Sequence, residues 1–238
     1  MQPSGGQTTS PATRWYRTAS FRVGLLVTIG VFAILTFLVE AAPSFPIDLQ
    51  ITLAIQSIQS PLFQGLMRLI SWPGYLPQYV LIILLIAWTL YLYRLRWEAV
   101  TSILTAVSSG ILNQLVKTII QRPRPSGDIV DVFTMLESYS FPSGHVMFYI
   151  SYFGFLWYLA FTLLKRSWQR SLLLAVIGGF ILLVGVSRIS LGQHWASDVL
   201  GAYLLGSLIL AGIILLYHWG QERSLFRSAA VTHDSNEE

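Results

Sequence analysis

Ser187-Arg188-Ile189-Ser190-Leu191-Gly192-Gln193-His194-Trp195-Ala196-Ser197-Asp198 stands between two apolar runs, and neither residues 171–187 nor residues 199–221 carry a charged side chain. A cation, an imidazole and a carboxylate therefore meet at the mouth of two hydrophobic segments. Charge is expensive next to hydrocarbon and is usually kept there for function. His194 and Asp198 are four positions apart, so on a helix they share a face. A carboxylate on that face accepts from one ring nitrogen and leaves the other with its lone pair, which describes an oriented nucleophile or base. The plainer alternative, a snorkelling Arg beside an interfacial His and a helix-capping Asp, is equally compatible with this stretch taken alone.

The apolar flanks decide the class. The chain of 238 residues is 54% hydrophobic and only 11% charged, about half the charged share of a soluble domain. Mean hydropathy is +0.60. We expect an all-α polytopic membrane protein. The net charge of +4 carries no suggestion of nucleic acid, and the absence of cysteine excludes disulfides and thiolate metal sites.

Six spans are expected, at about residues 21–41, 76–93, 99–120, 143–164, 171–187 and 196–219, each near the ~20 residues needed to cross hydrocarbon. Residues 1–20 and 220–238 read as disordered cytoplasmic tails around a six-span domain over 21–219. Residues 47–62 contain Pro61 and several glutamines, with Ile51, Ile55, Ile58 and Leu62 on one stripe. An interfacial amphipathic helix whose stripe faces acyl chains fits them better than a span.

Ten of the fifteen basic residues then fall on one side, in the tails and in the loops holding Arg94, Arg96, Lys165, Arg166 and Arg170. That side should be cytoplasmic. Of the remaining five, Lys117, Arg122, Arg124 and Arg188 lie near span ends at the outer face, beside polar and imidazole groups. An anion site would need that arrangement.

Two further motifs reach the same face. Lys117 nears the end of the third span, and Arg122-Pro123-Arg124-Pro125 follows, the prolines ending the helix and stiffening the turn. Alone, this reads as well as a basic patch touching lipid headgroups. Phe141-Pro142-Ser143-Gly144-His145 opens the fourth span. There Ser143 can cap, Gly144 leaves room near the backbone, free N–H groups favour an anion, and His145 stands in the first turn as a proton donor. Alone, it is also an ordinary helix start with an interfacial His.

Together these motifs resemble the type 2 phosphatidic acid phosphatase family, which shares its site with vanadium haloperoxidases. Lys-x6-Arg-Pro matches Lys117, Arg124 and Pro125; Pro-Ser-Gly-His matches residues 142–145; Ser-Arg-x5-His-x3-Asp matches Ser187, Arg188, His194 and Asp198. The resemblance implies that His194 attacks phosphorus, Asp198 holds its ring, and His145 protonates the leaving group and then activates water. It implies that Lys117, Arg124, Arg188, Ser143 and Gly144 hold the phosphate, with no metal or other cofactor. Spacing selects Arg124 over Arg122, which is left to contact lipid or loop. The implied activity is hydrolysis of a lipid phosphate or diphosphate in the bilayer, such as phosphatidic acid, phosphatidylglycerophosphate or an isoprenyl diphosphate. A phosphotransferase, or a non-catalytic lipid-phosphate binding or transport protein, remains the alternative, and the oligomeric state is open.

Overall fold

The computed structural model describes residues 18–42 and 45–223; the expected tails therefore lie largely outside the described residues. Among these residues the protein is helical, with no strand. Five helices are long and apolar enough to cross a membrane: α1 (Ala19–Ala41), α5 (Arg96–Ile120), a composite span over Gly144–Leu163, α8 (Trp168–Ser190) and α9 (Ala196–Glu222). The composite span consists of α6 (Gly144–Phe148), a π-helical turn (Tyr149–Phe153) and α7 (Gly154–Leu163). α9 runs three residues beyond the expected boundary at 219.

The candidate for the sixth span differs from the expected continuous helix. α4 (Gln78–Leu92) has 15 residues, about 22 Å at helical rise and short of the ~30 Å hydrocarbon core. It is preceded by α3 (Pro61–Ser71) and a 3-10 turn (Trp72–Gly74), and the two parts are bent by 59°. Pro73, Gly74 and Pro77 interrupt the helix here.

The expected helix over 47–62 is also divided. α2 (Pro46–Gln56) and α3 are separate, each with a proline in its first turn. Ile51 and Ile55 pack against the protein core rather than facing acyl chains, whereas Leu62 is exposed. Gln56 is likewise turned inward: its side chain donates to Asp131 O (2.7 Å) and accepts from Asp131 N (3.1 Å). The stripe was correctly apolar, but tertiary packing had a stronger claim on half of it than lipid had.

Aromatic and aliphatic side chains of the composite span fill the bundle centre. Tyr149, Tyr152 and Phe155 are fully buried, and Phe148 stacks on Tyr152 with centroids 5.0 Å apart. Outer faces stay apolar and open, as at Leu84, Trp88 and Leu182. Lipid tails are as apolar as these side chains, so close packing and buried hydrogen bonds hold the helices together rather than burial from water. The Tyr149 hydroxyl donating to Ile70 O at 2.5 Å is one such bond. One end of the bundle collects the C-terminal ends of α5 and α8, the starts of α4, α6 and α9, and the long segment over residues 121–143.

Candidate active site

Local rules place each site residue. α5 stops at Gln121, which adopts a left-handed conformation (φ 50°), directly before Arg122-Pro123. Lys117 is thus left in the last turn, pointing at the segment that follows. That segment folds back over the bundle end, with Ser140 N donating to Arg122 O at 2.8 Å. α8 ends at Ser190, and Gly192 makes the reversal with φ +64°. A Cβ at Gly192 would lie 1.9 Å from Asp131 O, so only glycine fits the turn. Asp198 is the third residue of α9, and its carboxylate reaches back to Trp195 N (2.8 Å), fixing the helix start.

These elements enclose a cavity of about 600 Å³. Lys117, Arg124, Gly144, His145, Arg188 and His194 all line it. Of the remaining sequence-selected residues, Ser143 is buried at the start of α6 and Asp198 is buried behind His194. The other half of the cavity is apolar and lies between α4 and α5, where Ile83, Ile103 and Val107 contribute. Ser143 does occupy the cap position of α6, but its hydroxyl caps nothing: its Oγ is buried without a partner, as is His145 Nε2. The Nε of Arg188 is also buried and unpaired. Three unsatisfied polar atoms in one region are unusual in a folded protein and mark places where a polar ligand would complete the bonding.

His194 is only 2% exposed. Arg124 NH1 lies 3.2 Å from its Nε2, and Asp198 Oδ2 lies 3.5 Å from its Nδ1. A guanidinium only donates, so the Arg124 contact requires a lone pair on Nε2 and leaves the proton on Nδ1. Ser140 stands between the ring and the carboxylate: its hydroxyl is 3.5 Å from Nδ1 and donates to Asp198 Oδ2. Burial, and then the charges of Arg124, Lys117 and Arg188, hold the imidazole well below its ordinary pKa. His194 is therefore neutral, with its Nε2 lone pair facing Arg124. Burial and neighbouring Arg188 push the Arg124 guanidinium down to about 10, still charged at neutral pH.

The cations are braced from behind. Arg124 Nε donates to Ser138 O (2.6 Å) and NH1 to Gln193 O (2.6 Å). Arg188 donates to Ser71 Oγ (3.0 Å), Tyr75 OH (2.9 Å) and the Gln193 side chain. Lys117 donates to Tyr139 O. His145 packs edge-on against Tyr75, with centroids 4.7 Å apart, and sits against Gly74, where a Cβ would lie 2.3 Å from its Cδ2.

Arg122 departs from the sequence expectation. It is buried rather than turned to lipid: it is 1% exposed, lies over the Phe45 ring at 5.5 Å, and donates to Asp198 Oδ1 (2.5 Å), Asp48 Oδ2 (2.7 Å) and Ser197 Oγ (2.7 Å). Removing one partner from such a buried pair leaves an uncompensated charge, typically costing about 3–5 kcal/mol. Asn113 was also missed. Its Nδ2 donates to Pro142 O at 3.0 Å, and it stands four residues before Lys117, a helical spacing that could have drawn it in. Tyr75, Ser140 and Asp48 lie outside the motifs and offered no comparable signal.

The PAP2 superfamily model matches residues 98–223. Phosphatidylglycerophosphatase B of Bacillus subtilis is 31% identical over 166 residues, covering 68% of this chain and 79% of that protein. An undecaprenyl-diphosphatase of Sulfolobus acidocaldarius is 32% identical over 120 residues, 49% of this chain and 53% of the relative. The crystal structure of a transmembrane PAP2-type phosphatidylglycerolphosphate phosphatase from Bacillus subtilis superposes with a TM-score of 0.71 at 26% identity, covering 84% of this chain and 96% of that one. Aquifex aeolicus LpxE gives a TM-score of 0.56 at 26% identity, covering 74% and 98%. With a family model spanning more than half of its length and a relative matched over most of both chains, this protein belongs to the PAP2 superfamily.

Proposed function

We propose that this chain is a membrane-embedded phosphatase that hydrolyses lipid phosphate or diphosphate esters through a phosphohistidine at His194, with its site on the outer face of the cell membrane. The observation that carries the reading is the shared cavity. Its polar half holds Lys117, Arg124 and Arg188 around the His194 Nε2, while its apolar half runs between α4 and α5. The first suits a phosphate and the second a hydrocarbon tail. The relatives' names, a phosphatidylglycerophosphatase and an undecaprenyl-diphosphatase, fit a substrate with both parts.

The chemistry follows from the atoms in place. Lys117, Arg124 and Arg188 neutralise the phosphoryl oxygens, with the Ser143 hydroxyl and Gly144 N–H assisting. Binding draws the Arg124 guanidinium from Nε2 onto the phosphate, and the freed lone pair attacks phosphorus as the bond to the leaving oxygen breaks. His145, which takes up a proton once the phosphate dianion lies beside it, gives that proton to the leaving oxygen and is left neutral. Asp198, with Ser140, holds the Nδ1 proton and stabilises the positive charge on the phosphorylated ring. In the second half His145 takes a proton from water, the water oxygen bonds phosphorus, and the N–P bond breaks, returning both rings to their starting states.

The bilayer supplies the substrate at a fixed depth, so positioning needs little extra binding energy. The test is phosphate release by purified protein from phosphatidic acid, phosphatidylglycerophosphate, an isoprenyl diphosphate and glycerol phosphate, with no added alcohol. Release from one or more lipids, much faster than from glycerol phosphate, is expected. Release that requires an added alcohol acceptor would make the protein a transferase, and equal rates on glycerol phosphate would remove the lipid assignment.

A further inference from the structure

Asp48 lies on α2, outside residues 98–223 covered by the family model, yet its carboxylate is buried at 2% exposure beside the start of α9. It accepts from Arg122 NH2 (2.7 Å), Ser197 Oγ (2.5 Å) and Ser197 N (2.8 Å). Arg122 NH1 continues to Asp198 Oδ1 at 2.5 Å, and Asp198 Oδ2 faces His194 Nδ1. Negative, positive and negative groups thus alternate from α2 to the ring, and the side chains of Asp48, Arg122 and Asp198 are 3%, 0% and 0% exposed. We infer that Asp48 is a positioning residue for the reaction, setting Asp198, and through it His194, by way of Arg122.

The reason is charge sharing. In a dry site, a guanidinium 2.5 Å from a carboxylate oxygen draws strongly on that carboxylate's negative charge. If Asp198 alone balanced Arg122, little of that charge would remain for the imidazolium formed when His194 is phosphorylated. A second carboxylate on the opposite amino group takes up part of the Arg122 charge. Asp198 then keeps both its orientation and its field for His194. Asp48 also fixes Ser197, the residue before Asp198, through backbone and side chain, so it reaches Asp198 by two routes. Two carboxylates around one buried cation are more than neutralising Arg122 alone would require. The excess is accounted for once the chain is extended to a ring that becomes positive during turnover.

This inference rests on the phosphatase reading, and the experiment keeps the two apart. Asp48→Asn, Arg122→Gln and the double variant are made in the full chain and assayed on a lipid phosphate that the unaltered protein hydrolyses. Asp48→Asn is expected to lower kcat by about 10- to 100-fold, the usual range for a partner one step behind a functional group, with KM little changed because Asp48 does not line the cavity. Asp48→Glu should recover part of the loss. The double variant should be no slower than Arg122→Gln alone, because without Arg122 the charge of Asp48 has nothing to share. Additive losses, or a raised KM at unchanged kcat, would overturn the inference while leaving the phosphatase reading intact. If Asp48→Asn fails to fold, the double variant, which removes both opposite charges, still supplies the comparison with Arg122→Gln. A readout independent of turnover is the His194 Nδ1–H resonance in ¹⁵N-histidine-labelled protein, assigned by its loss in His194→Ala. It should move in Asp48→Asn; an unmoved resonance would overturn the inference even if no lipid in the panel proved to be a substrate.

Discussion

The Arg124 guanidinium lies 3.2 Å from His194 Nε2, so the nitrogen proposed to attack phosphorus is held at rest by a cation proposed to bind the phosphate. One contact thereby fixes the tautomer and protects the lone pair until an anion competes for the guanidinium. Lysine would keep the charge but lose the planar fork that also reaches Gln193 O and Ser138 O. Arg124→Lys should therefore lower kcat/KM by about 10- to 100-fold, equivalent to one or two charge-assisted hydrogen bonds. Steady-state kinetics on a lipid phosphate check it; activity within twofold of the unaltered protein would remove Arg124 from the phosphate site.

Burial, with Arg124, Lys117 and Arg188 adding to it, depresses the His194 pKa, and the neutral ring is the proposed nucleophile. Acidifying through pH 6.5, where an ordinary histidine takes up a proton, should leave His194 competent. The acid limb of kcat/KM that belongs to this group should fall well below that pH. Measuring the profile in His145→Ala with a nitrophenyl phosphate removes the second histidine from the titration. The same shift has a stability consequence of fixed sign. Below about pH 6.5 the unfolded ring binds a proton that the folded ring refuses, so this group's contribution falls as pH falls. An acid limb at pH 6.5 or above would contradict the buried-cation environment.

Gly74 leaves no room for a side chain against His145, since a Cβ would lie 2.3 Å from Cδ2. Gly74→Ala should displace the ring and slow hydrolysis of esters whose leaving alkoxide needs a proton. Nitrophenyl phosphate, whose leaving group needs none, should suffer less in the first step. The ratio of lipid to nitrophenyl activity is the readout, and an unchanged ratio would remove His145 from the acid role.

Val107 is half exposed on the α5 side of the apolar half-cavity. Val107→Trp should narrow that half without touching the cations. We expect kcat/KM to fall about tenfold or more for a long-chain lipid phosphate and to change little for a short-chain soluble analogue, on the scale of a blocked apolar subsite. Equal effects on both substrates would place the tail elsewhere.

The chain lacks cysteine, so single thiols can report its orientation. Asp128 and Arg166 are both exposed, at the site end and the opposite end of the bundle. A cysteine at 128 should react with an impermeant thiol reagent applied outside intact cells, and one at 166 should not. The reverse pattern would put the site on the cytoplasmic face.

Much of this architecture was legible because a membrane imposes simple rules. Apolar runs of sufficient length gave α1, α5, the Gly144–Leu163 span, α8 and α9 to within a few residues. The π turn at Tyr149–Phe153 left no comparable trace, because hydropathy averages over local geometry, whereas the 59° break before α4 is marked in the sequence by Pro73, Gly74 and Pro77. At the site, spacing brought out six residues that line one cavity, while Ser143 and Asp198 flank it. Arg122 was left to contact lipid or loop because spacing selects Arg124, whereas two buried carboxylates hold it. One of these, Asp48, comes from a segment 74 positions away in sequence. Only the fold brings α2 under the start of α9, and no periodicity or spacing encodes that meeting.

The central claim is a covalent bond between His194 and phosphorus, and the most direct measurement is to trap it. His145→Ala with a nitrophenyl phosphate should pass the first step, where no proton is needed, and stall at the second, where water needs a base. Rapid alkaline quenching, digestion and mass spectrometry should then find one phosphoryl group on the peptide containing His194, lost on mild acid treatment and absent when His194 is also changed to Ala. Phosphate on another residue, or nitrophenol release with no phosphoenzyme and no dependence on His194, would contradict the account.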